Sequence, residues 1–280
     1  MMVVDAHLHF WDPATLRYPW LDGIPALKRP FFPRDYPGEA DALVFVEANP
    51  APDASAAEVA FVERLAASEP RIAGIVAYVD LLDEAQHGAA LDHLSTVPRV
   101  SGVRHNIQGT LKGTCLDPRF VRGVQAVGAR GYVFDLCPTA DQLADVASLI
   151  EQCPETRLVL DHCGKPAVRN DAFDDWARDV ERIASFGNVS CKLSGILTEA
   201  RADQRNASTL ARYVSHLTQC FGAARLLYGS NWPVSTLSGE LSLWRSIVDE
   251  LTSSWTDADR QLLFAGNAIR VYRLPLNDNS

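Results

Sequence analysis

Val3-Val4-Asp5-Ala6-His7-Leu8-His9-Phe10 alternates polar and apolar side chains at the period of a β-strand. Asp5, His7 and His9 fall on one face, and Val4, Ala6, Leu8 and Phe10 on the other. Two imidazoles two residues apart on one strand converge on a single point. Such a point suits a metal ion or a polarised carbonyl. Similar apolar runs recur at Ala42–Ala48, Gly74–Val79, Gly102–Ile107, Tyr132–Cys137, Arg157–His162, Val189–Leu193 and Leu226–Ser230. Between most of them lie helix-period stretches: Ala54–Ala67, Arg119–Ala129, Asp141–Gln152, Phe173–Phe186 and Thr209–Phe221. Strands alternating with helices imply parallel βα units, and eight such units predict an α/β fold, a closed (β/α)8 TIM barrel. An open doubly wound sheet is the competing arrangement, but no G-x-G-x-x-G follows an early strand. Nothing in the chain reads as a linker or a repeat, so residues 1–280 are expected to form one barrel domain.

The length suits this fold, since a barrel of this kind takes about 250 residues. Apolar residues make up 47% and charged residues 22%, the proportions of an ordinary globular protein with a large core. The net charge of −9 argues against nucleic acid or an anionic membrane surface as a partner. No window approaches the ~18 consecutive apolar residues of a membrane span, and the start of the chain shows no signal-peptide pattern. A cytoplasmic location is expected. The six cysteines, with no C-x-x-C, read as reduced buried thiols. Cys163 follows His162, but strand neighbours point to opposite faces, which argues against a nucleophilic thiol.

Barrel enzymes carry their sites at the C-terminal strand ends. Here those ends read His9, Glu47, Tyr78/Asp80, Arg104/His105, Asp135, His162, Lys192/Ser194 and Ser230/Asn231, far more polar than the strands beneath. The segment from Trp11 to Gly38 holds six prolines and six large aromatics. Prolines so dense forbid a long helix, and this predicts a long loop after strand 1 that covers the barrel mouth as a lid, an aromatic plug, or both. Trp244–Leu251, Ala258–Phe264 and Gly266–Leu274 read as extra C-terminal helices.

Asp5-Ala-His7-Leu-His9-Phe-Trp-Asp12 with Tyr18-Pro-Trp-Leu21 resembles the N-terminal signature of the amidohydrolase superfamily, in its amidohydrolase 2 branch. Gly102-Val-Arg104-His105, Leu160-Asp-His162-Cys-Gly-Lys-Pro166, Cys191-Lys-Leu-Ser-Gly195, Tyr228-Gly-Ser-Asn231-Trp-Pro-Val234 and Gly266-Asn-Ala resemble its later motifs, in order, over essentially the whole chain. The resemblance implies a hydrolase of a small lactone, sugar-derived or carboxylated, in carbohydrate breakdown. The subgroup includes fuconolactone and rhamnonolactone hydrolases, with muconolactone and pyrone-dicarboxylate lactonases further off. A metal-dependent decarboxylase and an inactive small-molecule binder are the alternatives.

Lactone hydrolysis needs a positioned water, a base and stabilisation of the oxyanion. On this resemblance His7, His9 and His162 face one cavity. They either bind a divalent metal, such as zinc, or donate directly to the carbonyl. Glu47 is an added ligand or a loop anchor. Arg104 and His105 are the expected substrate contacts, only one of them pointing inward, and Arg104 is otherwise a strand-end ion pair. Lys192 and Ser194 share a face and meet sugar hydroxyls, unless Lys192 pairs with Asp161 or Asp135. Trp20 or Trp232 stacks on the sugar ring or packs in the core. The eighth-strand motif departs from the family: its aspartate, the expected catalytic base, is Asn231 here. An amide is no base near neutral pH, and that function is typically worth ~10²–10⁴-fold. Three accounts fit: a substitution that traps substrate, another base such as His162 or Glu47, or binding without turnover. Monomer and homodimer remain equally open.

Overall fold

A computed structural model describes residues 1–276, and 277–280 lie outside the described part. Eight parallel strands run in sequence order around one sheet: β1 Val4–Leu8, β2 Ala42–Val46, β3 Ile72–Tyr78, β4 Val100–Arg104, β5 Val133–Leu136, β6 Arg157–Leu160, β7 Val189–Leu193 and β8 Leu226–Tyr228. The ring closes where the chain beyond β8 meets β1. Asn231 N donates to His7 O at 2.8 Å and His9 N to Trp232 O at 2.7 Å. This is the (β/α)8 barrel that the alternation predicts.

Helices follow every strand but the first: α1 Ser55–Ala66, α2 His87–Leu94, α3 Pro118–Ala129, α4 Leu143–Glu151, α5 Asp174–Ala184, α6 Ala207–Phe221 and α7 Leu241–Leu251. After β1 the prolines allow only short 3₁₀ turns at Pro19–Gly23, Pro25–Leu27 and Pro33–Asp35. Trp11, Phe31 and Trp232 meet edge to face in this loop, and Trp232 is therefore a packing residue between Phe10, Phe31 and Tyr36. The C-terminal segment reads α8 Asp257–Gln261, a π-helical turn Leu262–Gly266 and α9 Asn267–Tyr272. Ala265, Ala268, Ile269 and Val271 pack with Val44, Val46, Val76, Val133 and Val159 in one apolar cluster inside the barrel. None of the helices described is long and apolar enough to cross a membrane.

One local feature departs from strict alternation. The β1–β2 register shifts between Asp5 and Leu8. Val4 and Ala6 join the inner cluster, whereas Leu8 and Phe10 join the layer between barrel and helices. His7 and His9 therefore face the axis without Asp5. The Asp5 carboxylate instead accepts from Tyr36 Oη at 2.9 Å and Ser230 N at 2.8 Å, and it serves as a joint between β1, the first loop and β8. A bulge of this kind re-aims side chains, and alternation alone does not reveal it.

Candidate active site

The strand ends surround a cavity of about 390 Å³ at the C-terminal mouth of the barrel. Its polar lining comes from His9, Asn49, Arg104, Asn106, Gln108, His162, Lys165, Thr198 and Asn231, and Trp20, Ile24, Cys137 and Val234 supply apolar surface.

His162 owes its place to the backbone. β6 stops at Leu160, two residues before the strand expected from sequence, and His162, Cys163, Gly164 and Lys165 all take positive φ, between 48° and 65°. Four such residues in a row make a left-handed turn. Each non-glycine there costs about 1–2 kcal/mol, so the surroundings must hold the turn. Trp176 Nε1 donates to Cys163 O at 2.8 Å and Lys165 N to His162 O at 2.8 Å. The Cys163 thiol points away from the cavity towards the carbonyls of Lys192 and Ser194, and burial pushes its pKa up to about 12, so it is no nucleophile. Two glycines make room for the imidazoles. A Cβ on Gly195 would lie 2.6 Å from His162 Nδ1, and one on Gly229 2.8 Å from His7 Cβ.

Each imidazole is fixed through Nδ1. His9 Nδ1 donates to Val46 O at 2.7 Å, which leaves the Nε2 lone pair to the cavity. His162 Nδ1 meets Ser194 Oγ at 2.9 Å. His7 Nδ1 lies 3.2 Å from Asp161 Oδ1 and 3.2 Å from Lys192 Nζ. Burial lowers the pKa of all three rings, His9 to about 3 and the other two well below the usual histidine range. All three are neutral at pH 7.

Beneath the rings runs a buried ion network. Arg104 Nε meets Glu47 Oε1 at 2.6 Å and Nη1 meets Asp161 Oδ2 at 3.2 Å, while Nη2 donates to Glu47 O. Lys192 Nζ lies 2.5 Å from Asp135 Oδ2 and 3.0 Å from Asp161 Oδ1, and Tyr272 Oη donates to Asp135. Burial acts to raise Asp161, but Lys192 and His7 outweigh it and hold the carboxyl well below its usual range. Asp135 goes the other way: burial lifts it to about 6 against the pull of Lys192.

These contacts place every residue expected from sequence. His9, Arg104, His162, Asn231 and Trp20 line the cavity, and Trp20 Nε1 is tied to Ala48 O at 2.7 Å. His7 lies just below. Lys192 and Glu47 do not reach the cavity. Both are wholly buried, and Lys192 is bound to Asp135 and Asp161 rather than to substrate, because its side chain points down the barrel axis into the carboxylates. Glu47 holds Arg104 with one oxygen and accepts from Asn49 N with the other at 2.6 Å. His105 points outward. Its Nδ1 accepts from Leu81 N at 3.0 Å and its ring packs on Tyr78 and Phe120, so it is no substrate contact; neighbouring Arg104 takes the inward face. Sequence reading did not single out Asn49, Asn106, Gln108 or Thr198, since loop residues carry no periodic signal. Lys165 was legible only as part of the His162 motif.

His7, Asp161 and His162 can each bring one donor atom within 4.8 Å of the others. His7 Nε2 is buried and has no hydrogen-bond partner. With Nδ1–H given to Asp161, that Nε2 presents a bare lone pair. Glu47, Asp135 and Asp161 also outnumber Arg104 and Lys192 by one charge. An orphaned imidazole nitrogen over excess negative charge fits a divalent cation. Asn231 completes the mouth. It adopts φ 58°, its backbone bonds to His7, and its side chain lies against His9.

Residues 4–274 match the amidohydrolase family, nearly the whole chain. The chain belongs to that family. Two curated amidohydrolase relatives from Burkholderia bear the name L-fucono-1,5-lactonase. The one from Burkholderia multivorans is 33% identical over 97% of this chain and 96% of its own length. The one from Burkholderia ambifaria is 28% identical over 97% and 95%. A crystal structure of an amidohydrolase from Burkholderia multivorans, described with bound zinc, superposes with a TM-score of 0.87 at 30% identity, covering 98% of this amidohydrolase and 100% of that chain.

Proposed function

We propose that this amidohydrolase opens a hydroxylated 1,5-lactone of a sugar acid by attack of water on the ring carbonyl. The observation that carries the reading is the cavity itself: the His9 and His162 imidazoles at its base with His7 just below, amides and a hydroxyl on its walls beside Arg104 and Lys165, and no carboxylate among its lining residues. Amide, hydroxyl and ammonium groups on the walls suit hydroxyl groups, and the lactonase relatives support the substrate class. His7 and His162, with Asp161 beside them, are the residues that would hold a divalent ion. Such an ion supplies carbonyl polarisation and a water of lowered pKa.

The chain's own groups supply the rest. Ser194 fixes the His162 ring and Val46 O the His9 ring, so both are aimed without reorganisation when charge develops. With amide rather than carboxylate at 231, the proton acceptor left in the cavity is an imidazole lone pair, and His9 Nε2 is the one whose tautomer its partner fixes. Burial makes it a weak base, so turnover is slow. Asn231→Asp places a carboxylate there at little conformational cost, because Asn and Asp are among the non-glycine residues that best tolerate positive φ. Proton release from a panel of aldono-1,5-lactones should rise about 10²–10⁴-fold in that variant. If neither form turns over any aldonolactone or muconolactone, the lactonase reading falls.

A further inference from the structure

The ion network fixes Arg104 and Lys192 between pairs of buried carboxylates, and one cation of the cavity wall lies outside it. Arg104 is committed through Nε, Nη1 and Nη2 to Glu47 and Asp161. Lys165, the other cation in the cavity wall, has one partner, Glu199 Oε1 at 3.1 Å. An ammonium carries three donors, so two remain. The side chain is only 13% exposed, where a lysine ordinarily extends into solvent. Its backbone is also unusual: Lys165 closes the left-handed turn begun by His162. Three residues apart in that turn, the two side chains reach the same cavity. Residues held in sparsely populated backbone conformations cluster where a side chain must be aimed.

Glu199 is placed as deliberately. Thr198 Oγ1 lies 3.2 Å from Glu199 Oε1, and Arg169 Nη2 holds Thr198 O at 2.9 Å. Lys165 therefore presents an ammonium with free donors to the cavity, next to the neutral Asn106, Gln108 and Thr198, while Glu199, outside the lining, balances its charge. A vicinal diol, whose oxygens accept from the ammonium and whose hydroxyls donate to amide and threonine oxygens, matches that arrangement.

We propose that Lys165, with Glu199 as its counter-ion, is a specificity-determining residue that binds the ring hydroxyls of the lactone. This rests on the lactonase reading and adds the group that distinguishes a sugar lactone from a bare one. Charge-assisted hydrogen bonds are the strong ones. A site built to satisfy a substrate hydroxyl also rejects the analogue that lacks it, because its own polar groups are then left unpaired.

The test compares two six-membered lactones, glucono-1,5-lactone and unsubstituted δ-valerolactone, by proton release. It uses the Asn231 protein and its Asn231→Asp form, each with and without Lys165→Met. The ratio of kcat/KM for the hydroxylated over the bare lactone should fall about 10–100-fold in Lys165→Met, chiefly through KM. Lys165→Arg should recover part of it. Glu199→Gln, which keeps the ammonium, should lower the ratio by less. A merely structural lysine that supports the turn under His162 would lower both rates by one factor and leave the ratio in place, which overturns the proposal. An unmoved ratio in both Lys165→Met and Glu199→Gln overturns it too. Absence of turnover on both lactones and on the full aldonolactone and muconolactone panel with Lys165 intact, in both the Asn231 and Asp forms, would instead overturn the lactonase reading and this proposal with it.

Discussion

Replacing Lys192 by Met tests the account of the buried network most directly. Met is close in volume, so no sizeable cavity opens and the change isolates charge. The lost ammonium leaves Asp135 with Tyr272 Oη alone, at 2.8 and 3.0 Å, while Asp161 keeps Arg104 and His7. Both carboxylates are wholly buried. Breaking a buried pair from one side costs about 3–5 kcal/mol. At about 2–3 °C per kcal/mol for a chain this long, Tm should fall by roughly 6–15 °C at pH 8. Burial already lifts Asp135 to about 6 against the pull of Lys192, and without Lys192 it rises further. A carboxyl whose folded-state pKa exceeds its unfolded value contributes most below about pH 4, and the contribution is lost as pH rises through the folded value. Removing Lys192 moves that loss to higher pH, so the Tm deficit of the variant should be smaller at pH 5 than at pH 8. Adding Asp135→Asn should return at least half of it. Calorimetric melts of the three proteins at both pH values check this. A deficit under 2 °C at pH 8, or one that does not shrink at pH 5, refutes the claim that Lys192 is spent on the carboxylates.

Two further variants separate scaffold from site. His105→Ala should lower stability by about 1–3 kcal/mol, because it strips the acceptor from Leu81 N, while the kinetics on any accepted lactone stay as they were. A large loss of kcat/KM would return His105 to the cavity. Gly195→Ala sets a Cβ against His162 at a backbone φ of 65° and should cost about 1–3 kcal/mol. It should also disturb the ring enough to depress activity, whereas Gly187→Ala, where a Cβ meets nothing within 4 Å, serves as the neutral comparison in melts and assays. Equal behaviour of the two glycine variants would contradict the packing described around His162.

Much of the fold is legible in the sequence because its signals are local. Val189–Leu193 reads as a strand with the bounds it has in the structure, since Val, Cys and Leu at alternate positions bury against the helices. Boundaries fail where the backbone leaves the two ordinary conformations. Arg157–His162 reads two residues too long because nothing in Asp161-His162-Cys163 announces a left-handed turn; Gly164 is the one hint. By alternation Asp5 shares a face with the histidines, because alternation has no symbol for a bulge. α2 goes unread because His87–Leu94 buries only Leu91 and Leu94, too little for a period to emerge.

The site divides along a different line. Periodicity says that only one of Arg104 and His105 faces inward and that Lys192 shares a face with Ser194; in the structure Arg104 and Lys192 are the inward ones. It does not say whether the donors of an inward cation are already spoken for, and that decides whether the residue recognises substrate or supports the groups that do. Lys192 meets two carboxylates and Arg104 meets two, because β2, β5 and β6 deliver Glu47, Asp135 and Asp161 to the same layer. Pairing of that kind is a property of three strands at once, so from sequence it stands only as an alternative to substrate binding. Lys165 lies outside the layer, on a turn, with a single partner. A cation on a loop is the weaker candidate by sequence and the stronger one by saturation. If glucono-1,5-lactone discrimination depended on Lys192 rather than Lys165, counting carboxylate partners would be the wrong way to tell a binding cation from a structural one in this barrel.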